Sequence, residues 1–179
     1  MGRPLNEFES CVGSECKIAD SFLNQGYAII NAEDEYGLQR IQNTIANLAA
    51  DHLALDRTNS PTRFLNDINQ QVEVKDLNAL RLAVVSGIRN EAWFRPTYFQ
   101  LAQNAIETIV GNELAMQRGM GLSVQMPGDD SSLLPVHADV WDGDSPFEVV
   151  VWLPLVDCFQ TKAMYLMPPE KDRLFQRNM

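Results

Sequence analysis

His137 and Asp139, separated by one residue, are the side chains in this sequence whose types and spacing can do chemistry together. On an extended chain, residues i and i+2 project to one side, so an imidazole and a carboxylate at this spacing can reach the same cation. Two histidines and one carboxylate on one face form the ligand set that holds iron(II) while leaving positions open for a cosubstrate and oxygen. His-x-Asp supplies two of those three groups. The spacing by itself arises often by chance, so its context matters more. The run Leu133-Leu134-Pro135-Val136 leads into it, the loop Asp142-Gly143-Asp144-Ser145 follows, and a valine-rich stretch comes next. Asp129, Asp130, Asp142 and Asp144 read as solvated turn residues in preference to ligands. The only other histidine, His52, falls on the apolar stripe Leu38, Ile41, Ile45 and Leu48, so the expectation for it is a hydrogen-bonded core residue rather than a third ligand.

The elements that must position this pair change character along the chain. Residues 17–25 read as a short helix stopped by Gly26, with a short strand at Tyr27-Ala28-Ile29-Ile30. A long helix follows, capped at Asn31 or Asp34. Residues 56–61 form a break rich in turn formers. A second amphipathic helix starts near Asp76, with Leu77, Leu80, Val84 and Ile88 on one face, and a third runs from Pro96 to Gly111. From Glu113 the pattern turns to short alternating runs: Leu122-Ser123-Val124-Gln125-Met126, then residues 133–136, 147–153 and 163–167, with a turn at Pro127-Gly128-Asp129-Asp130. The expected fold class is α+β. Residues 1–112 form a mainly helical region, 113–167 a partial β-sheet, and 168–179 a polar tail that is helical or frayed.

Bulk properties set further bounds. The chain has 179 residues and a formal net charge of −10. No cationic footprint is visible for displacing the counterions of a nucleic acid, nor one for an anionic membrane surface. The apolar runs are too short to span a bilayer, and the first residues lack the order of a signal peptide. The cysteines, Cys11, Cys16 and Cys158, are odd in number and match no common zinc ribbon, so reduced thiols and a cytoplasmic location are expected.

Residues 125–169 resemble the 2-oxoglutarate/iron(II)-dependent oxygenases found sporadically in bacterial carbohydrate biosynthesis clusters. The resembling residues are Leu133-Leu134-Pro135-Val136-His137-Ala138-Asp139, then the run from Trp141 to Asp157, then Thr161-Lys162-Ala163-Met164-Tyr165. The resemblance implies N-terminal helices packed on a double-stranded β-helix, or jelly-roll, sheet. It implies iron(II) and 2-oxoglutarate as cofactors, and hydroxylation of a sugar-related small molecule. Within it His137 and Asp139 are metal ligands, Gln125, Lys162 and Tyr165 contact the cosubstrate, and Trp141 stacks on the substrate or plugs the barrel mouth. The chain departs from the family in one respect: no His follows Asp139 to act as the distal ligand, and no matching Arg is found to grip the cosubstrate. The first half of a jelly roll is therefore expected, truncated before the distal His, its exposed sheet covered by a homo-oligomer. The rival readings are a non-catalytic jelly-roll module and a cupin-like, metal-dependent sugar isomerase or epimerase.

Overall fold

The structure is a computed structural model and describes residues 13–177. Its α-helices are α1 (Ser14–Gln25), α2 (Glu35–His52), α3 (Pro61–Asn66), α4 (Leu77–Arg89), α5 (Phe94–Gln100), α6 (Gln103–Val110) and α7 (Pro169–Gln176). They fall into two compact units, one from residues 13–31, 103–114 and 165–177, the other from residues 32–102 and 115–164. No helix among the described residues is long and apolar enough to cross a membrane.

The second unit holds the main core, and its helical stripes are those visible in the sequence. In α2, Ile41, Ile45 and Ala49 recur at helical spacing and are buried. The helix is opened by Asp34, whose carboxylate accepts the Gly37 N–H at 2.9 Å and satisfies an otherwise orphaned donor. In α4, Leu77, Leu80, Val84 and Ile88 are all at most 6% exposed. The two helices pack against each other, and Gly87 sets their approach: a Cβ built there would sit 2.5 Å from Leu48 Cδ2. α3 and α5 also pack on α2. Arg40 of α2 lies 3.7 Å over the Trp93 ring, which joins α2 to the start of α5 by a cation–π contact. In the first unit α1 packs against α6. Gly26 closes α1 at φ 80°, donating its N–H to Phe22 O at 2.9 Å, the left-handed cap that glycine adopts without steric cost.

The expected sheet is not there. Among the described residues there is no strand, so the α+β jelly-roll expectation is corrected to a helical fold carrying extended segments. The alternation that suggested strands is real but serves another surface. Leu122, Val124 and Met126 face the helical core, as do Leu153 and Leu155, while Ser123, Gln125, Trp152 and Pro154 face outward. A period of two requires only one apolar side, and the helices offer it. Their side chains also take the role of ladder partners. Arg81 donates to Val124 O, Tyr98 Oη to Val151 O at 2.7 Å, and Gln42 Nε2 to Leu155 O at 3.2 Å. Arg95 Nη2 donates to Met116 O at 2.9 Å. Partly buried carbonyls are thereby satisfied without a neighbouring strand.

Three smaller expectations are also revised. Residues 27–30 form no strand, and the third helix is two, α5 and α6, broken at Leu101 and Ala102. Cys16 is disulfide-bonded rather than a reduced thiol. Cys158 is free, and Cys11 lies outside the described residues.

Candidate metal-binding site

The stretch that carries His137 and Asp139 is built from turns. Asp129 shapes the first, accepting Ser131 N at 3.0 Å and Ser132 Oγ at 3.2 Å. Hydrogen bonds from Ser131, side chain and backbone, hold its carboxyl below the usual aspartate range. Residues 133–137 then run exposed to Ala138. A 3-10 turn, Asp139–Trp141, follows, and the Asp139 carbonyl accepts the N–H groups of Asp142 at 3.0 Å and Asp144 at 3.2 Å. Gly143, at φ 101°, lets the chain double back to make the second of these bonds.

Within that turn the two expected ligands converge. His137 Nε2 stands 3.6 Å from Asp139 Oδ1, with the side chains 38% and 50% exposed. On its other side, His137 Nδ1 lies 2.8 Å from the Pro135 carbonyl. A neutral ring with its proton on Nδ1 would donate to that carbonyl and carry its lone pair on Nε2, the nitrogen nearer the carboxylate, the tautomer a metal-ligating imidazole needs. The 3.6 Å separation exceeds a good hydrogen bond. An ion about 2.1 Å from each atom would sit between them at an angle of about 120°, wider than the right angle of adjacent octahedral positions. A small closure of the pair would let it supply two of the three protein ligands of an iron(II) site. Among the described residues no group of three His, Cys, Asp or Glu side chains is arranged to hold a metal.

Among the described residues, none of the other expected site residues makes a side-chain hydrogen bond or ion pair with His137 or Asp139. His52 is the last residue of α2 and is exposed, which corrects its expected place in the core: the stripe it continues leaves the core at Ala49 and Ala50. Gln125 is exposed on the outward side of its segment. Lys162 gives its ammonium to Asn66 Oδ1 at 2.7 Å and sits 5.6 Å from the Phe159 ring. Tyr165 is 83% exposed and belongs to the first unit. Trp141 is partly exposed, two residues after Asp139 in the same turn. Sequence reasoning missed the Pro135 carbonyl that orients His137 and the Asn66 that holds Lys162. The first had a local signal in its i, i+2 spacing. The second joins positions 66 and 162, and nothing in the sequence relates them. Comparison with protein-family models, with curated proteins and with solved structures finds no match to this chain.

Proposed function

We propose that His137 and Asp139 are two protein ligands of an iron(II) centre in a 2-oxoglutarate-dependent oxygenase acting on a sugar-related small molecule in the cytoplasm. The observation that carries the reading is the convergence of His137 Nε2 and Asp139 Oδ1 at 3.6 Å, with His137 Nδ1 held by Pro135. The family-like run from Leu133 to Tyr165 supports it; the helical fold adds no support of its own. Iron(II) with 2-oxoglutarate, when bound, would supply with molecular oxygen the oxidative decarboxylation of 2-oxoglutarate to succinate and carbon dioxide, one oxygen atom entering succinate and the other the hydroxyl group formed at a substrate C–H bond. The residues supply geometry and charge. Pro135 fixes the ring and its proton, His137 offers a neutral lone pair, and Asp139 brings one negative charge against the cation. Trp141 offers an apolar ring face beside Asp139, suited to stacking on the C–H face of a sugar.

The test is a cobalt(II) titration under anaerobic conditions, cobalt standing in for iron and read by its visible absorption. The whole chain is expected to bind weakly, as two protein ligands do, and His137→Ala and Asp139→Ala each to abolish the signal. Binding that survives both substitutions, or no binding at all, overturns the proposal. Succinate release from 2-oxoglutarate with iron(II) and ascorbate then tests the chemistry. The two-ligand set is expected to give no robust turnover. Turnover abolished by His137→Ala would mean that a third ligand exists within these residues. Conversion of a sugar without oxygen or 2-oxoglutarate would instead establish an isomerase.

A further inference from the structure

Three features meet along residues 147–155 of the second unit. Residues 148–154 form neither helix nor turn and their exposure alternates as in an extended chain: Leu153 and Leu155 pack on the helical core, while Val150 and Trp152 are 61% and 45% exposed, as is Phe147 in the preceding turn at 88%. Its backbone is held on one edge only. In an extended chain the polar groups of successive residues point to opposite edges. Val151 and Leu155 direct their carbonyls to Tyr98 and Gln42, so Val150 and Trp152 present their N–H and C=O groups to the other edge. No backbone group among the described residues bonds to them there. Finally, every charged side chain from Gly119 to Thr161 is acidic, and Asp142, Asp144, Glu148 and Asp157 flank the segment.

We propose that residues 149–153 are a docking edge for an extended, cationic peptide segment of a partner protein, in which Lys or Arg alternates with apolar residues. Strand addition gives each unpaired N–H and C=O of Val150 and Trp152 a partner, and alternate side chains supply selectivity. The apolar residues of the peptide cover Val150 and Trp152, and its basic residues meet the flanking carboxylates. A second copy of this chain would bring the same carboxylates against each other, and like-charge juxtaposition disfavours it. The inference stands independently of the metal pair.

The experiment is fluorescence anisotropy of a labelled peptide of alternating Lys and Val, titrated with the whole chain. Comparison peptides replace Val by Ser at equal charge, or Lys by Glu at equal apolarity. Val150→Pro removes one edge donor at an exposed position, and circular dichroism checks that the helices persist. The Lys–Val peptide is expected to bind at least about tenfold more tightly than either comparison peptide, and Val150→Pro to weaken it about tenfold. Equal binding of the Lys–Ser peptide would reduce the effect to charge alone and overturn the proposal, as would binding indifferent to Val150→Pro. A wild-type dimer in sedimentation that Val150→Pro dissolves would show a second copy as the occupant, which also overturns it.

Discussion

His137 and Cys158 are the two side chains whose chemistry the structure makes most specific. Pro135 O and Asp139 Oδ1 face opposite nitrogens of the His137 ring, at 2.8 Å and 3.6 Å. Pro135 must therefore be replaced at the backbone level to be tested, since it acts through its carbonyl, and the side-chain test falls on His137. Cys158 is partly buried, and burial pushes its thiol pKa above the ordinary cysteine value, with Asp157 acting in the same direction and Lys162 against it. The thiolate is the reactive form, so at neutral pH less of it is present than in an unhindered cysteine. Alkylation of Cys158 by iodoacetamide, followed by mass spectrometry, is expected to be slower than that of a free thiol at neutral pH. Its rate should rise through an inflection at higher pH. A rate equal to that of glutathione across the range would contradict this account. The closeness of His137 and Asp139 was legible in the sequence because it is local, two residues apart on one run. Its orienting carbonyl is local as well, but a backbone group leaves no mark in residue type.

The α2–α4 pair is where stability resides. Leu80 is 2% exposed at the centre of the α4 stripe, and Leu80→Ala is expected to cost about 2–5 kcal/mol, by lost transfer energy and the cavity left behind. Gly87→Ala sets two effects against each other. Alanine favours a helix interior by up to about 1 kcal/mol, but its Cβ would meet Leu48 of α2 at 2.5 Å, and overpacking costs about 1–3 kcal/mol. Net destabilisation is expected in urea unfolding; a stabilised Gly87→Ala would show that the helices separate readily there. Tyr98→Phe isolates the hydrogen bond that holds the extended segment, and its loss is expected to cost about 1 kcal/mol. The stripe of α4 was readable residue by residue because helix periodicity and a helical neighbour agree. The strands were misread because residues 122–126 and 147–155 alternate equally well on a sheet or on a helical layer, and periodicity does not name the partner.

Hydrogen exchange offers a test across the full chain. Amides in α2 and α4 are protected by helical bonds over a buried face, whereas those of Val150 and Trp152 make no backbone hydrogen bond among the described residues. Deuterium uptake is therefore expected to be fast across residues 147–153 and slowest in α2 and α4. Slow exchange at Val150 and Trp152 in the isolated chain would mean that the segment has found a strand partner.

Composition and local spacing alone determined the acidic balance, the buried stripe of α4, the turn around Gly128 and the proximity of His137 to Asp139, and narrowed the cap of α2 to Asn31 or Asp34. Each depends on residues within a few positions of one another, where backbone geometry leaves few choices. Only the tertiary structure decided that Leu122, Val124, Met126, Leu153 and Leu155 pack on the helical core, that Tyr98, Gln42 and Arg81 donate to carbonyls of those segments, and that Lys162 binds Asn66. These pairings span from 43 to 113 positions. An apolar face accepts any complementary apolar surface, so which of them forms is settled by competition among whole-chain arrangements that no local pattern records.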